Sequence, residues 1–413
     1  MSNLIDPLIT PYLKDKMSML VVGDVHENST RFVELCTWLK DHNARYDVIA
    51  CTGDFANYDF AHPLKNKEDP REVEDRTKAK LAELTEYAQC VVFVPGNHEA
   101  PRYYSEHSEL LPERVIYLHG KAVKLCEGLI LAGAGGCPPG YMEGDPVISG
   151  VPFTSDRQMG AFLAESFADL VSLINRQNEP NQESASSSSA PSPDSSAESS
   201  VKVQHSSSNE LNVKDSVVFV THVGPLHSAT SFGIKHKTKR TTTGSLSLSQ
   251  FLLCKKHSAL YSRTALLVHG HSHFGTGFMK SQIVHKALER ISRKEGWKER
   301  EQESERRGSE SEDDKMKGIA TAYEELEGSY KENKGCEKGA FKEKREEIMD
   351  GADKSIKEEK GEEEEEEELV GPLPPIFNPG ALTYGKFGSV VLRREESGWK
   401  IETITLLNLP LAL

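Results

Sequence analysis

The sequence predicts an α/β domain built on a parallel sheet, with further strands added after it. Three observations carry that reading. Short apolar runs alternate with amphipathic stretches through the first hundred residues. Strand, helix, strand, helix, strand at this spacing implies right-handed crossovers and parallel pairing. Each apolar run also stops at a small residue followed by a polar group able to bind a metal.

The elements follow in order. Ser18–Asp24 (SMLVVGD) reads as a buried strand. STRFVELCTWLKDHN reads as a helix with Phe32, Leu35, Cys36 and Leu39 on one face and Ser29 or Thr30 as its cap. Tyr46–Asp54 is a second buried strand, EDRTKAKLAELTEYAQ a second helix, and Cys90–Glu99 a third strand. After Pro112, RVIYLHG, KAVKLCEG and LILAGAGG are short strands divided by glycine, which suggests a meander or a second sheet. Later strands are Ser216–Gly224, Thr264–His273, GSVVLRR and KIETITLL, and the apolar TITLLNLPLAL is a final strand and tail packed on the core.

Two stretches interrupt this pattern. Residues 176–216 contain SASSSSAPSPDSSAESS, with little apolar surface to offset ordering entropy, and are expected to be a disordered insertion. Residues 286–370 hold 19 Lys+Arg and 29 Asp+Glu, a net of −10, and end in Glu362 to Glu368. Such like-charge blocks repel and stay solvated, so this is read as an acidic low-complexity insertion. One domain remains, with its core in 17–175, 217–285 and 371–413.

The whole chain carries 50 Lys+Arg against 64 Asp+Glu, a net of −14. That balance argues against a general affinity for nucleic acid, yet leaves room for a locally positive, metal-bearing cleft. The seven cysteines form no C-x-x-C pair, and an odd scattered count implies a reducing compartment rather than a disulfide framework. The N-terminus lacks a basic segment followed by an apolar one, and no apolar run approaches the roughly 18 residues of a membrane span. A cytoplasmic location, with no membrane or nucleic-acid partner, is therefore expected.

The chemistry collects at the strand ends. In order these are Gly23-Asp24-Val25-His26, Gly53-Asp54, Gly96-Asn97-His98-Glu99, Thr221-His222 and Gly270-His271-Ser272-His273. The carboxyl ends of parallel strands line one edge, where residues distant in sequence converge. Glycine before the first ligand in four of these five blocks leaves room for tight turns and close backbone approach. In Asp-x-His and His-x-His, alternation along an extended segment is expected to turn both side chains to one side. Asp, His and Asn donors suit Mn, Fe, Zn or Co better than calcium, and without cysteine the set is not a thiolate zinc site. Seven donors are too many for one ion and fit two, with a carboxylate such as Asp54 bridging ions about 3.5–4 Å apart.

The five blocks GDVH, GDF, GNHE, THVG and GHSH, with the turn Asn378-Pro379-Gly380, resemble those of the calcineurin-like metallophosphoesterases. The resemblance implies a four-layer αββα sandwich of two mixed sheets flanked by helices. It implies two divalent ions, Mn, Fe or Zn, the first held by Asp24, His26, Asp54 and His273, the second by Asp54, Asn97, His222 and His271. It gives His98 the role of general acid, and the reaction as hydrolysis of a phosphate mono- or diester by a metal-bridging hydroxide, the substrate being a phosphorylated compound. The alternative on the same fold is a non-catalytic interaction scaffold. The sequence departs from many members at Asn57, where they carry an acidic residue, which weakens any inference of protein phosphatase activity and leaves open what orients His98.

Other polar residues are read as secondary. His227 and His236 lie in a basic loop with Lys235, Lys237, Lys239 and Arg240. His119 is read as a turn histidine, Tyr141 and Arg157 as possible pocket residues, and Tyr384 as equally a core or a site residue.

Overall fold

The computed structural model describes residues 4–5, 15–26, 28–59, 69–104, 111–142, 145–148, 150–178, 215–226, 228–235, 239–273, 275–280 and 373–410. The chain divides into two compact units, Met1–Leu288 with Glu368–Leu413, and Glu289–Glu367. The second unit lies outside the described residues, as do 179–214 of the Ser-rich stretch and 281–372 around the acidic one.

Within the first unit the strands are β1 (Leu4–Ile5), β2 (Lys16–Val22), β3 (Tyr46–Cys51), β4 (Ala88–Phe93), β5 (Val115–Tyr117), β6 (Lys121–Cys126), β7 (Leu129–Ala134), β8 (Gly140–Met142) and β9 (Asp145–Ile148). They continue with β10 (Ser216–Thr221), β11 (Phe232–Lys235), β12 (Lys239–Thr242), β13 (Thr264–His269), β14 (Gly277–Met279), β15 (Ile376–Asn378), β16 (Lys386–Glu395) and β17 (Gly398–Asn408). The helices are α1 (Ser29–Asp41), α2 (Pro70–Leu84), α3 (Asp156–Ser166), α4 (Ala168–Asn178), α5 (Leu246–Leu253) and α6 (Ser258–Arg263).

Two mixed sheets form the centre. One runs β17-β16-β2-β3-β4-β5, parallel from β2 to β5 and antiparallel at β16 and β17. The other runs β1-β6-β7-β10-β13-β15-β14, parallel from β7 to β15. Strand alternation sorts the side chains into three apolar layers. Met19, Val21, Val48 and Val92 meet Leu131, Val218, Val220 and Val268 between the sheets. Leu20, Val22, Ile49 and Val91 face the other way, onto Phe32, Leu35 and Leu39 of α1 and Leu81 and Leu84 of α2. Ile130, Val217, Phe219 and Leu267 pack on Met159, Leu163, Leu248 and Leu252 of α3 and α5. The result is the helix–sheet–sheet–helix order expected, and it explains the unbroken apolar strand runs, since both faces are covered.

Several local expectations are corrected. The cap of α1 is Asn28, whose side chain accepts from the Arg31 N–H, rather than Ser29 or Thr30. Helix α2 begins at Pro70, four residues before the expected Glu74, because Asp69 caps it and proline suits the first helical position. Strand β5 joins the first sheet beside β4, so RVIYLHG does not belong with the β6–β7 hairpin of the second. No helix among the described residues is long and apolar enough to cross a membrane.

Candidate metal centre

The donors sit just beyond the carboxyl ends of β2, β3, β4, β10 and β13, so both sheets contribute to one site. Backbone hydrogen bonds lace these loops together. The amide of Asp24 donates to the Gly53 carbonyl (2.9 Å), that of His26 to the Asp54 carbonyl (2.9 Å), and that of Gly270 to the His222 carbonyl (3.0 Å).

The strands end before the donors do. Asp24, His26, Asp54 and His271 all adopt positive φ, at 53°, 47°, 57° and 61°. The expected extended alternation of Asp24 with His26 is therefore replaced by left-handed turns, a conformation that Asp and His tolerate better than bulkier residues. Two glycines permit this crowding. Gly53 has φ 94°, and a Cβ there would lie 2.3 Å from the Gly96 nitrogen. A Cβ on Gly96 would lie 2.1 Å from Asp54 Oδ1.

All eight predicted side chains come together. Ligand atoms of Asp24, His26 and His273 lie within 4.8 Å of one another, as do those of Asp54, His222 and His271, and those of His26, Asp54 and His98. Asp54 Oδ2 stands 3.6 Å from His26 Nε2 and 3.5 Å from His222 Nε2, between the first two groups. His273 Nε2 is 3.2 Å from Asp24 Oδ1 and 2.9 Å from His26 Nε2. Asn97 Oδ1 is 2.9 Å from His222 Nε2, which is 3.1 Å from His271 Nδ1.

Electrostatics and tautomers favour cation binding. Burial alone would raise the Asp54 carboxyl, but His222, then His98, His26 and His271, hold it well below the usual carboxylate range. Asp24 is likewise lowered: burial opposes, and the hydrogen bond and charge of His273 prevail. Burial pushes His26 down, and burial with the charge of His222 takes His271 down to about 3. Burial alone would lower His273, but its bond to Asp24 and the charges of Asp24 and Asp54 together move it up. His222 donates from Nδ1 to the Thr52 carbonyl (2.7 Å), which leaves the Nε2 lone pair turned into the site. Carboxylates and imidazoles converging in two groups about a shared aspartate fit divalent cations.

His98 is oriented by backbone. Its Nδ1 donates to the Tyr58 carbonyl at 3.3 Å, and its amide donates to Asp54 Oδ1 at 2.9 Å. Asn57, at the departure from the motif, is exposed.

Sequence reasoning quoted Glu99 without giving it a role. It is fully buried, and its carboxylate accepts from the amides of Gly96 (2.5 Å), Phe55 (2.5 Å) and Asp54 (3.1 Å). The buried Lys80 donates to the Phe55 carbonyl of the same loop at 2.8 Å. An acid closing the GNHE block at a strand end was the available signal. The Thr52 and Tyr58 carbonyls had none, being backbone.

The secondary residues scatter. His119 is partly buried in a turn, stacks on Phe162 with centroids 4.5 Å apart, and accepts from the Gly135 amide (2.9 Å), as a structural histidine does. Arg157 is exposed on α3. Tyr384 is 51% exposed and packs edgewise on His273, so it is not a core residue. His227, His236 and Lys237 lie outside the described residues, as do the side chains of Tyr141, Lys235, Lys239 and Arg240.

The family model described as calcineurin-like phosphoesterase matches residues 17–275. No curated protein sequence matches the chain. Among solved structures, the chain is similar to TT1561 of Thermus thermophilus at 12% identity, over 95% of this chain and 99% of that one, with a TM-score of 0.41. It is also similar to the calcineurin-like phosphoesterase YfkN from Bacillus subtilis, at 9% identity over 96% and 91%, with a TM-score of 0.32.

Proposed function

The chain belongs to the calcineurin-like phosphoesterase family, and from that membership we propose that it hydrolyses a phosphate mono- or diester at a centre of two divalent metal ions. One observation carries the reading: the Asp54 carboxylate lies between two groups of imidazoles and acid, 3.6 Å from His26 Nε2 in one and 3.5 Å from His222 Nε2 in the other. Asp24, His26, Asp54 and His273 hold one ion, and Asp54, Asn97, His222 and His271 the other. Mn, Fe or Zn suits these oxygen and nitrogen donors. When bound, such ions supply a nucleophilic water of lowered pKa and neutralise charge on the phosphoryl oxygens.

The remaining steps belong to side chains. Asp24 and Asp54, ionised by their imidazole neighbours, set the negative charge that makes cation binding favourable. The Thr52 carbonyl fixes the His222 tautomer. His98, held through Nδ1–H by the Tyr58 carbonyl, presents its other nitrogen to the ester and gives a proton to the departing oxygen, worth roughly 10²–10⁴ in rate. Glu99, accepting from the Asp54 and Phe55 amides, and Lys80, donating to the Phe55 carbonyl, hold the backbone on either side of the Asp54–Phe55 link. The site is open at the His26, His98 and His273 side, where a phosphorylated substrate enters. We place the protein in the cytoplasm.

The test is hydrolysis of p-nitrophenyl phosphate and its diester by the purified full chain with added Mn²⁺. Turnover that a chelator abolishes and fresh Mn²⁺ restores is the expected result. Absence of turnover of either ester across a series of Mn²⁺, Fe²⁺ and Zn²⁺ would overturn the proposal.

A further inference from the structure

Resting on that phosphoesterase reading, we propose that Tyr384 is a specificity-determining residue, a stacking wall for a planar organic group esterified to the substrate phosphate. The inner surface of the site is carboxylate, amide and imidazole. Those groups recognise phosphate and cations, and none of them selects the organic part of an ester. Tyr384 stands at the rim of this surface. Its ring lies 5.8 Å from that of His273, edge to face at 68°, while 51% of the residue faces solvent. An exposed hydrophobe alone is ordinary. This one differs in how it is mounted.

The turn Leu382–Tyr384 is fastened to the loop that carries the first aspartate. The Leu382 amide donates to the Gly23 carbonyl at 3.0 Å, and the Thr383 amide to the Asp24 carbonyl at 3.1 Å. Asn28 Nδ2 donates to Thr383 Oγ1 at 3.4 Å. Leu382 is fully buried, and Gly385 ends the turn in a left-handed conformation, its amide returning to the Leu382 carbonyl at 2.7 Å. The ring is thus set in fixed register with Asp24 and His273, at the open side of the site. An aromatic face held this way orders at small entropic cost, because tyrosine has two side-chain torsions. It offers stacking to an aryl group or a nucleobase and nothing comparable to a small alkyl group. The substrate class assigned is therefore an ester of phosphate with a planar aromatic moiety.

The test uses phenylphosphonate and methylphosphonate, whose C–P bonds the reaction does not cleave, titrated calorimetrically into the Mn²⁺-loaded full chain. The wild-type chain binds the phenyl compound more tightly. Tyr384→Ala lowers the phenyl-to-methyl affinity ratio roughly five- to tenfold, and Tyr384→Phe keeps the wild-type ratio. Bound Mn²⁺ per chain is measured for each variant, so that a disturbed site is not mistaken for a lost wall. Binding of both phosphonates with an unchanged ratio in Tyr384→Ala overturns this inference alone. Failure of the wild-type chain to bind either one overturns the phosphoesterase reading beneath it.

Discussion

Replacing Glu99 by glutamine exchanges one carboxylate oxygen for an NH₂ group and should loosen the loop that holds Asp54. Oε2 accepts two backbone N–H groups, from Gly96 and Asp54, and Oε1 accepts one, from Phe55. In its better orientation glutamine keeps its oxygen at the first pair and turns its NH₂ against the Phe55 N–H. One bond to a charged acceptor is then lost, at about 1.5–3 kcal/mol, and a buried donor is left unsatisfied, at about 1–3 kcal/mol. The two surviving bonds weaken as their acceptor loses its charge. A total near 3–5 kcal/mol is a large part of the roughly 5–15 kcal/mol that stabilises a domain. Burial, then the charge of Asp54, pushes the Glu99 carboxyl up to about 8, while three N–H donors pull it back. The comparison therefore belongs at pH 9, where the wild-type group is ionised. Urea unfolding of wild type and Glu99→Gln, with Mn²⁺ affinity by calorimetry, should show the stability loss and weakened cation binding together. A variant within about 0.5 kcal/mol of wild type at pH 9, with unchanged Mn²⁺ affinity, would refute the positioning role.

His98→Ala should keep its full complement of bound metal while kcat on an alkyl ester falls roughly 10²–10⁴-fold; a parallel loss of metal would mean that His98 is itself a ligand. Gly96→Ala, with its Cβ driven to 2.1 Å from Asp54 Oδ1, should lose bound cation even where the chain still folds, read as metal per chain after gel filtration. His119 supplies a pH dependence: burial and then Lys121 lower its folded pKa to about 3 from an ordinary 6.5. The unfolded chain binds the extra proton between those values, so stability falls as pH drops below 6.5, by less than about 1.4 kcal/mol per unit. Glutamine can keep an acceptor for the Gly135 amide without titrating, so His119→Gln should flatten the slope of urea midpoints between pH 7 and pH 5; an unchanged slope would assign the effect elsewhere.

The strands that carry the site were legible because both faces of each sheet are covered, which leaves apolar runs such as Val48–Cys51 without polar interruption. The donors were legible because short polar residues follow those runs directly. What the sequence concealed was backbone. The left-handed turns at Asp24, His26, Asp54 and His271 come from packing two sheets' loops against each other, and period-two alternation does not extend past Val22. Capping of α1 by Asn28 was missed because three adjacent residues, Asn28, Ser29 and Thr30, all have capping side chains, and only the chain's entry angle selects among them. Strand β5 was placed with the wrong neighbours because its three residues carry no pairing preference of their own. Tyr384 could be read as core or site until the Gly385 turn fixed which way the chain runs.

The proposed hydrolysis rests on one aspartate shared by two cations. Metal analysis of the purified full chain, beside Asp54→Asn and assayed on the same aryl ester, tests it most directly. Two divalent ions per wild-type chain, with one or none in the variant and hydrolysis lost, is the outcome the account requires. Full hydrolysis by Asp54→Asn, or a wild-type chain that is active with no stoichiometric metal, would contradict it.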